Sequence, residues 1–115
     1  MNDIFSTDAL RAALDDASPE TVHAAAVTGS TNGDARRAFV DGLSAPALFA
    51  AAEQTAGRGR LGRQFLSPAG SGVYFSFFTP LSTPPQSVLH VTCAAGVAVR
   101  RGILLTTGCD TRIKW

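Results

Sequence analysis

Glu53-Gln54-Thr55-Ala56-Gly57-Arg58-Gly59-Arg60-Leu61-Gly62-Arg63 follows the apolar run Ala47-Leu48-Phe49-Ala50-Ala51-Ala52, which ends as a strand does. Three glycines and three arginines fall between Gly57 and Arg63. Beyond them come Ser67-Pro68-Ala69-Gly70-Ser71-Gly72 and a second strand pattern, Val73 to Thr79, nearly all aromatic or β-branched. From Gln54 to Gly72 neither the helix nor the strand period can be found. Long irregular loops inside a domain usually act as lids or binding loops. Glycines let the backbone approach a ligand, and arginine forks match carboxylate and phosphate. Physically, the segment reads as a mobile anion clamp.

Working outward, residues 6–17 read as a short amphipathic helix that Ser6, Thr7 or Asp8 can cap and Ser18-Pro19 ends. Thr21 to Thr28 reads as a strand stopping at Gly29. Ser30-Thr31-Asn32 offers a cap for a helix over Asn32 to Asp41, with Gly42 as the stop. On the far side, Pro80 to Pro85 is a connector, and Gln86 to Leu105 reads as the longest helix. Gly96 and Gly102 each cost that helix about 1 kcal/mol, which close packing would explain. Gly108 closes it, and Asp110 to Trp115 reads as a further strand. The order helix-strand-helix-strand-loop-strand-helix-strand predicts an α+β domain, a mixed sheet flanked by helices.

The 115 residues suit one small domain, and 45% hydrophobic with 17% charged residues fits a folded chain rather than a disordered one. No uninterrupted apolar run approaches the roughly 18 residues of a membrane span. Cys93 and Cys109 read as two reduced thiols, which points to the cytoplasm. The net charge of +1 hides an asymmetry. Residues 1–53 carry eight acids against three arginines, whereas residues 54–109 carry five arginines and no acid. Fifty-six residues without a carboxylate fit an anionic ligand. Five cations are too few for a nucleic-acid surface, and no partner nucleic acid or membrane is expected.

Gly57-x-Gly59-x-x-Gly62 matches a dinucleotide fingerprint by letter, but no helix pattern opens at Gly62 and the next acid after Glu53 is Asp110. Gly-Lys-Ser/Thr does not occur, which removes a P-loop. His23 and His90 have no neighbouring ligands, so no metal site is read. Taken singly, Gln54 also reads as a last strand residue, Ser30-Thr31-Asn32 as a plain helix cap, and the arginines as a solvated loop.

Read in order, the pieces say more. Ser30-Thr31-Asn32, the Glu53 to Arg63 segment, Ser67-Pro68-x-Gly70-x-Gly72-x-Tyr74-x-Ser76 and Ile113-Lys114-Trp115 together closely resemble the biotin–protein ligases, from about Val27 onward. The resemblance implies a class II aminoacyl-tRNA synthetase-like fold. It also implies an enzyme that uses ATP and Mg2+ to make biotinyl-5′-adenylate and passes biotin to one lysine of a biotin carboxyl carrier protein. By the same resemblance, Ser30, Thr31 and Asn32 line the biotin pocket, with Gln54 near the ureido ring. Gly57, Arg58, Gly59, Arg60 and Arg63 close over the valeryl chain and the carboxylate or phosphate. Arg58 and Lys114 serve at the reacting oxygens.

Phe65 stands where that family usually has tryptophan, and the chain stops at Lys114-Trp115 where the family continues with Pro-Asn-Asp. The expectation is therefore that residues 1–115 form the N-terminal portion of one catalytic domain, without a DNA-binding domain or the small C-terminal domain, and inactive alone. A lipoate or octanoate transferase of the same fold and a non-catalytic ligand-binding remnant are the alternatives.

Overall fold

The central strand carries the core. In the computed structural model, which describes residues 6–82 and 84–114, Ala47, Phe49, Ala50 and Ala51 are all buried and lie on one strand, joined in the core by Val22. Burial at both odd and even positions means that this strand is covered on both faces, as a central strand is. The chain forms two units, residues 1–80 and 81–115.

In the first unit the order is α1 (Thr7–Leu14), β1 (Thr21–Thr28), α2 (Thr31–Val40), β2 (Ala47–Gln54) and β3 (Tyr74–Phe78). The sheet runs β1-β2-β3, parallel between β1 and β2 and antiparallel between β2 and β3. Thr21 faces Ala47 and Thr28 faces Gln54, while Ala47 faces Phe78 and Ala51 faces Tyr74. The mixed sheet expected from the sequence is present, and the β1 limits agree residue for residue.

Local chemistry sets the helix ends. The Ser6 hydroxyl accepts from the Ala9 amide and starts α1, which runs on into a 3-10 turn over Asp15–Ala17. The Thr7 hydroxyl of α1 accepts from the Ala24 amide of β1, so the helix holds the strand through a side chain. Ser30 caps α2 by accepting from the Gly33 amide, and Gly42 leaves that helix at a φ of 109°. α2 lies on the sheet through Phe39, whose ring centre is 5.7 Å from that of Phe78.

The second unit holds a 3-10 turn (Pro85–Ser87) and α3 (Val88–Thr107), which Gly108 ends in the left-handed conformation expected of it. The strand expected over 110–115 is not found: residues 110–114 are chain without assigned secondary structure and without a strand partner among the described residues, and Trp115 lies outside them. Backbone groups of a strand need a neighbour to pair with. Here Arg100 takes that place, its Nε donating to the Thr111 carbonyl at 2.7 Å and its guanidinium pairing with Asp110.

Two further expectations change in α3. A Cβ on Gly102 would meet nothing within 4 Å, so close packing does not account for that glycine among the described residues. Although no unbroken apolar run is long, α3 as a whole is long and apolar enough by length and composition to cross a membrane. Thr92, Arg100 and Arg101 interrupt the run and hide this in the sequence.

Phe49, 6% exposed and within 6.2 Å of the His23 ring, anchors the sheet core. Phe49→Ala is expected to lower stability by about 3–5 kcal/mol, and Phe39→Ala, at a 59% exposed site, by about 1 kcal/mol. Urea unfolding followed by circular dichroism checks both. Equal midpoints for the two variants would place the core elsewhere.

Candidate functional site

The end of β2 and the start of α2 are sewn together by backbone. Beyond its last paired residue, β2 continues beside Thr28-Gly29: the Thr55 amide donates to the Thr28 carbonyl at 2.9 Å and the Ala56 amide to the Gly29 carbonyl at 2.7 Å. The Thr28 hydroxyl reaches Asp34 in the first turn of α2 at 2.6 Å. Ser30-Thr31-Asn32 and the glycine–arginine segment, 23 positions apart from Thr31 to Gln54, thereby become neighbours.

The segment expected to be an irregular loop is a bent hairpin. The Gln54 amide donates to the Ser67 carbonyl, Phe65 to Gly57, Gly59 to Arg63 and Arg63 to Arg60, and Gln54 and Arg58 make antiparallel bridges with Ser67 and Gln64. At its tip Leu61 (φ 59°) and Gly62 (φ 75°) are both left-handed, the arrangement of a type I′ hairpin turn. That conformation costs a leucine about 1–2 kcal/mol, and its side chain is 91% exposed. Glycines in the arms remove the side-chain alternation by which a hairpin is recognised in sequence.

Gly57 has a steric reason. A Cβ there would lie 2.6 Å from both the Phe65 carbonyl oxygen and the Ser67 Oγ, and 3.1 Å from Gln54 Nε2. Only glycine lets the two arms close on the Gln54 carboxamide.

A directed chain of hydrogen bonds runs through that carboxamide. The Thr31 amide donates to Gln54 Oε1 at 2.8 Å, Gln54 Nε2 donates to Ser67 Oγ at 3.0 Å, and the Ser67 hydroxyl donates to the Phe65 carbonyl at 3.2 Å. A second chain crosses to β3: the Ser76 hydroxyl donates to Asn32 Oδ1, so the Thr31 hydroxyl, 2.8 Å away, donates to Ser76. Gln54 then keeps one unused amide hydrogen and Thr31 keeps hydroxyl lone pairs. No buried side-chain nitrogen or oxygen among the described residues lacks a partner.

These groups border two hollows. The smaller, about 190 Å³, is lined by Ser30, Thr31, Asn32, Gln54 and Arg58 with Phe65, Tyr74 and Ser76 among others. The larger, about 550 Å³, is lined by Gly29, Ser30, Asn32, Arg36, Arg37 and Arg58 with small neighbours. Ser30, Asn32 and Arg58 line both, so Arg58 stands at the boundary.

Of the residues expected from the sequence, Ser30, Thr31, Asn32, Gln54 and Arg58 meet at the small hollow, and Gly57 lies buried beneath them. Arg60 and Arg63 are exposed on the hairpin, and they and Gly59, which precedes Arg60, lie outside the lining of either hollow. Lys114 belongs to the second unit, where it is exposed on a stretch without helix or strand. Ser67, Ser76, Tyr74 and Phe65 were not among the expected site residues. The alternation of Tyr74 and Ser76 along β3 is the signal that puts both on one face. Among the described residues no three His, Cys, Asp or Glu side chains stand close enough to hold a metal ion. The amides, hydroxyls and arginines around the hollows are not a magnesium donor set, and no magnesium ligand is assigned.

The central strand of the mixed sheet thus feeds a glycine–arginine hairpin beside a small polar hollow. The model of the biotin/lipoate A/B protein ligase family matches residues 24–115, and the chain belongs to that family. It is 43% identical over 68 residues to the bifunctional ligase/repressor BirA of Bacillus subtilis, covering 59% of this chain and 21% of that protein. To BirA of Escherichia coli it is 36% identical over 63 residues, covering 54% and 19%. Biotin protein ligase from Leishmania major, solved in complex with biotinyl-5-AMP, superposes with a TM-score of 0.62 at 35% identity over 75% of this chain and 35% of that one. The complex of the same ligase with biotin gives 0.60 at 34% identity, with 75% and 34% covered. The chain thus spans about a fifth of the curated relatives it matches. The fold is that of the biotin protein ligases, the class II synthetase-like mixed sheet expected from the sequence.

Gly57→Ala is expected to part the hairpin arms, costing about 1–3 kcal/mol. It should also speed amide exchange at Phe65, whose hydrogen bond ends on the Gly57 carbonyl. Unaltered protection of Phe65 in the variant would contradict the steric reading.

Proposed function

We propose that this chain carries the biotin-holding part of a ligase that activates biotin with ATP and transfers it to a lysine of a biotin carboxyl carrier protein. The observation that supports this reading most directly is the pattern of unused hydrogen-bonding capacity in the small hollow. Gln54 has a donor to spare and Thr31 an acceptor, each fixed in direction by its other partners. A cyclic urea presents the complement, one carbonyl acceptor and flanking N–H donors. The similar protein from Leishmania major is a biotin protein ligase by name and was solved with biotin and with biotinyl-5-AMP.

The rest of the site fits the same ligand. Phe65 and Val73 in the lining give apolar surface to a thiophane ring and an alkyl chain, and Arg58 supplies a cation at the boundary. Joining a carboxylate to a nucleotide phosphate brings two anions together, and positive charge where they meet stabilises both the encounter and the transition state. The hairpin, once over the ligand, shields a mixed anhydride from water. Lys114 enters the proposal as a second cation for the reacting oxygens, on resemblance to the family. In the cytoplasm, where free biotin, ATP and carrier meet, such a ligase has all its substrates.

Calorimetric titration of the chain with biotin, repeated in excess lipoate, tests the reading. Biotin is expected to bind and lipoate to leave it in place. Displacement by lipoate would favour the lipoate or octanoate transferase alternative, whose acyl group lacks the urea.

Arg58→Ala is expected to weaken biotin by about 1.5–3 kcal/mol, the worth of a charge-assisted hydrogen bond, and to leave the uncharged amide of biotin unaffected. The same titration with both ligands reads the difference. A loss of equal size for both would remove Arg58 from the carboxylate.

A further inference from the structure

Ser67 is only 3% exposed, and its hydroxyl stands at the junction of the two arms of the hairpin. It accepts from Gln54 Nε2, donates to the Phe65 carbonyl, and its own backbone carbonyl accepts from the Gln54 amide. Resting on the biotin-site reading above, we propose that Ser67 is a positioning residue: it holds the Gln54 carboxamide in the plane that aims its remaining amide hydrogen at the ligand carbonyl.

The geometry supports this step by step. The Thr31 backbone can only donate, so the carboxamide oxygen must face it and the nitrogen must face Ser67. With the Thr31 bond alone, the carboxamide could swing about that single contact. The terminal torsion of glutamine is broad and sets no angle by itself. The bond to Ser67 supplies the second point that fixes a plane. Ser67 can do so because its single hydrogen is already committed to Phe65, which leaves its oxygen as an acceptor. Ala or Val at position 67 would offer no acceptor to a largely enclosed amide.

Phe65, which receives the Ser67 hydrogen, donates its own amide to Gly57 next to Arg58, so the same run of bonds joins the Gln54 carboxamide to the base of the hairpin.

The test is a double-mutant cycle on the full chain with d-biotin as the probe, read by calorimetry for the parent, Ser67→Ala, Gln54→Met and the double variant. Ser67→Ala is expected to weaken biotin about tenfold in the parent and by less than about twofold in the Gln54→Met background. Equal losses in both backgrounds, or none in the parent, would overturn the proposal, because a merely structural serine would not need Gln54. Should the parent not bind biotin, the functional reading falls and the positioning role is judged without ligand. Ser67→Ala is then expected to speed amide exchange at Thr31, which Ser67 does not touch, and to do nothing further once Gln54 is methionine. An unchanged Thr31 rate overturns the assignment. If Ser67→Ala does not fold, Ser67→Cys, with a weaker donor and acceptor of similar size, is read by the same two measurements.

Discussion

Everything around the small hollow depends on one side chain being held from two sides. The Gln54 carboxamide receives a backbone hydrogen from the first residue of α2 and gives one to a serine at the far end of the hairpin. Without it, the helix start, the end of the central strand and the returning arm would be joined only by backbone pairing at their edges. With it, three segments from different parts of the chain share one rigid junction. Burial raises the cost of breaking such bonds, because each freed group would lack water to replace its partner. The absence of Cβ at Gly57 is the other half of the same arrangement, since the Ser67 hydroxyl that holds the carboxamide and the Phe65 carbonyl occupy the room that a side chain there would need.

The cations are placed on a different footing. Arg58, Arg60 and Arg63 are exposed, and among the described residues none of them forms an ion pair. Their charge is therefore uncommitted in the protein itself. Arg36 and Arg37 on α2 also line the larger hollow, and among the described residues Asp34 is the one acid paired with either, 3.9 Å from an Arg37 nitrogen. The neutral polar groups are tied to the fold by hydrogen bonds, whereas the cationic ones sit exposed at the ends of long side chains. Orientation comes from the first set and charge from the second.

Much of this could be read from the residues in order. β1 and β2 announce themselves by β-branched and apolar runs, Ser30 by its place before α2, and Gly42 and Gly108 by ending helices in conformations that suit them. The grouping of Ser30, Thr31, Asn32, Gln54 and Arg58 came from resemblance, since spacing alone left each with an ordinary explanation. The hairpin was hidden because its arms contain glycines in place of alternating side chains, and because the first of its two left-handed turn positions holds leucine rather than asparagine or glycine. Ser67 belongs to the motif that carries the resemblance but had no site role in the sequence, because its burial comes from the returning arm, which no local pattern encodes. The strand read over 110–115 failed for a related reason, as β-branched residues make a strand only where another backbone is there to meet them.

The sheet register carries a consequence for how the chain assembles. Thr21 pairs with Ala47 and Ala47 with Phe78, so neither pairing is closed by a tight turn. Each must recruit a distant segment and bear the entropy of closing a long loop before contact is rewarded. The unit of β1, α2 and β2 has a helix to bring its strands together, while β3 must travel across the whole hairpin. The hollow needs β3, since Tyr74 and Ser76 form one wall of it. Its completion therefore requires that β3 has docked. A molecule that bound in the hollow would bind only chains in which that docking has happened, and by mass action would draw the population toward the finished sheet. Site formation and sheet completion are in that sense one linked equilibrium.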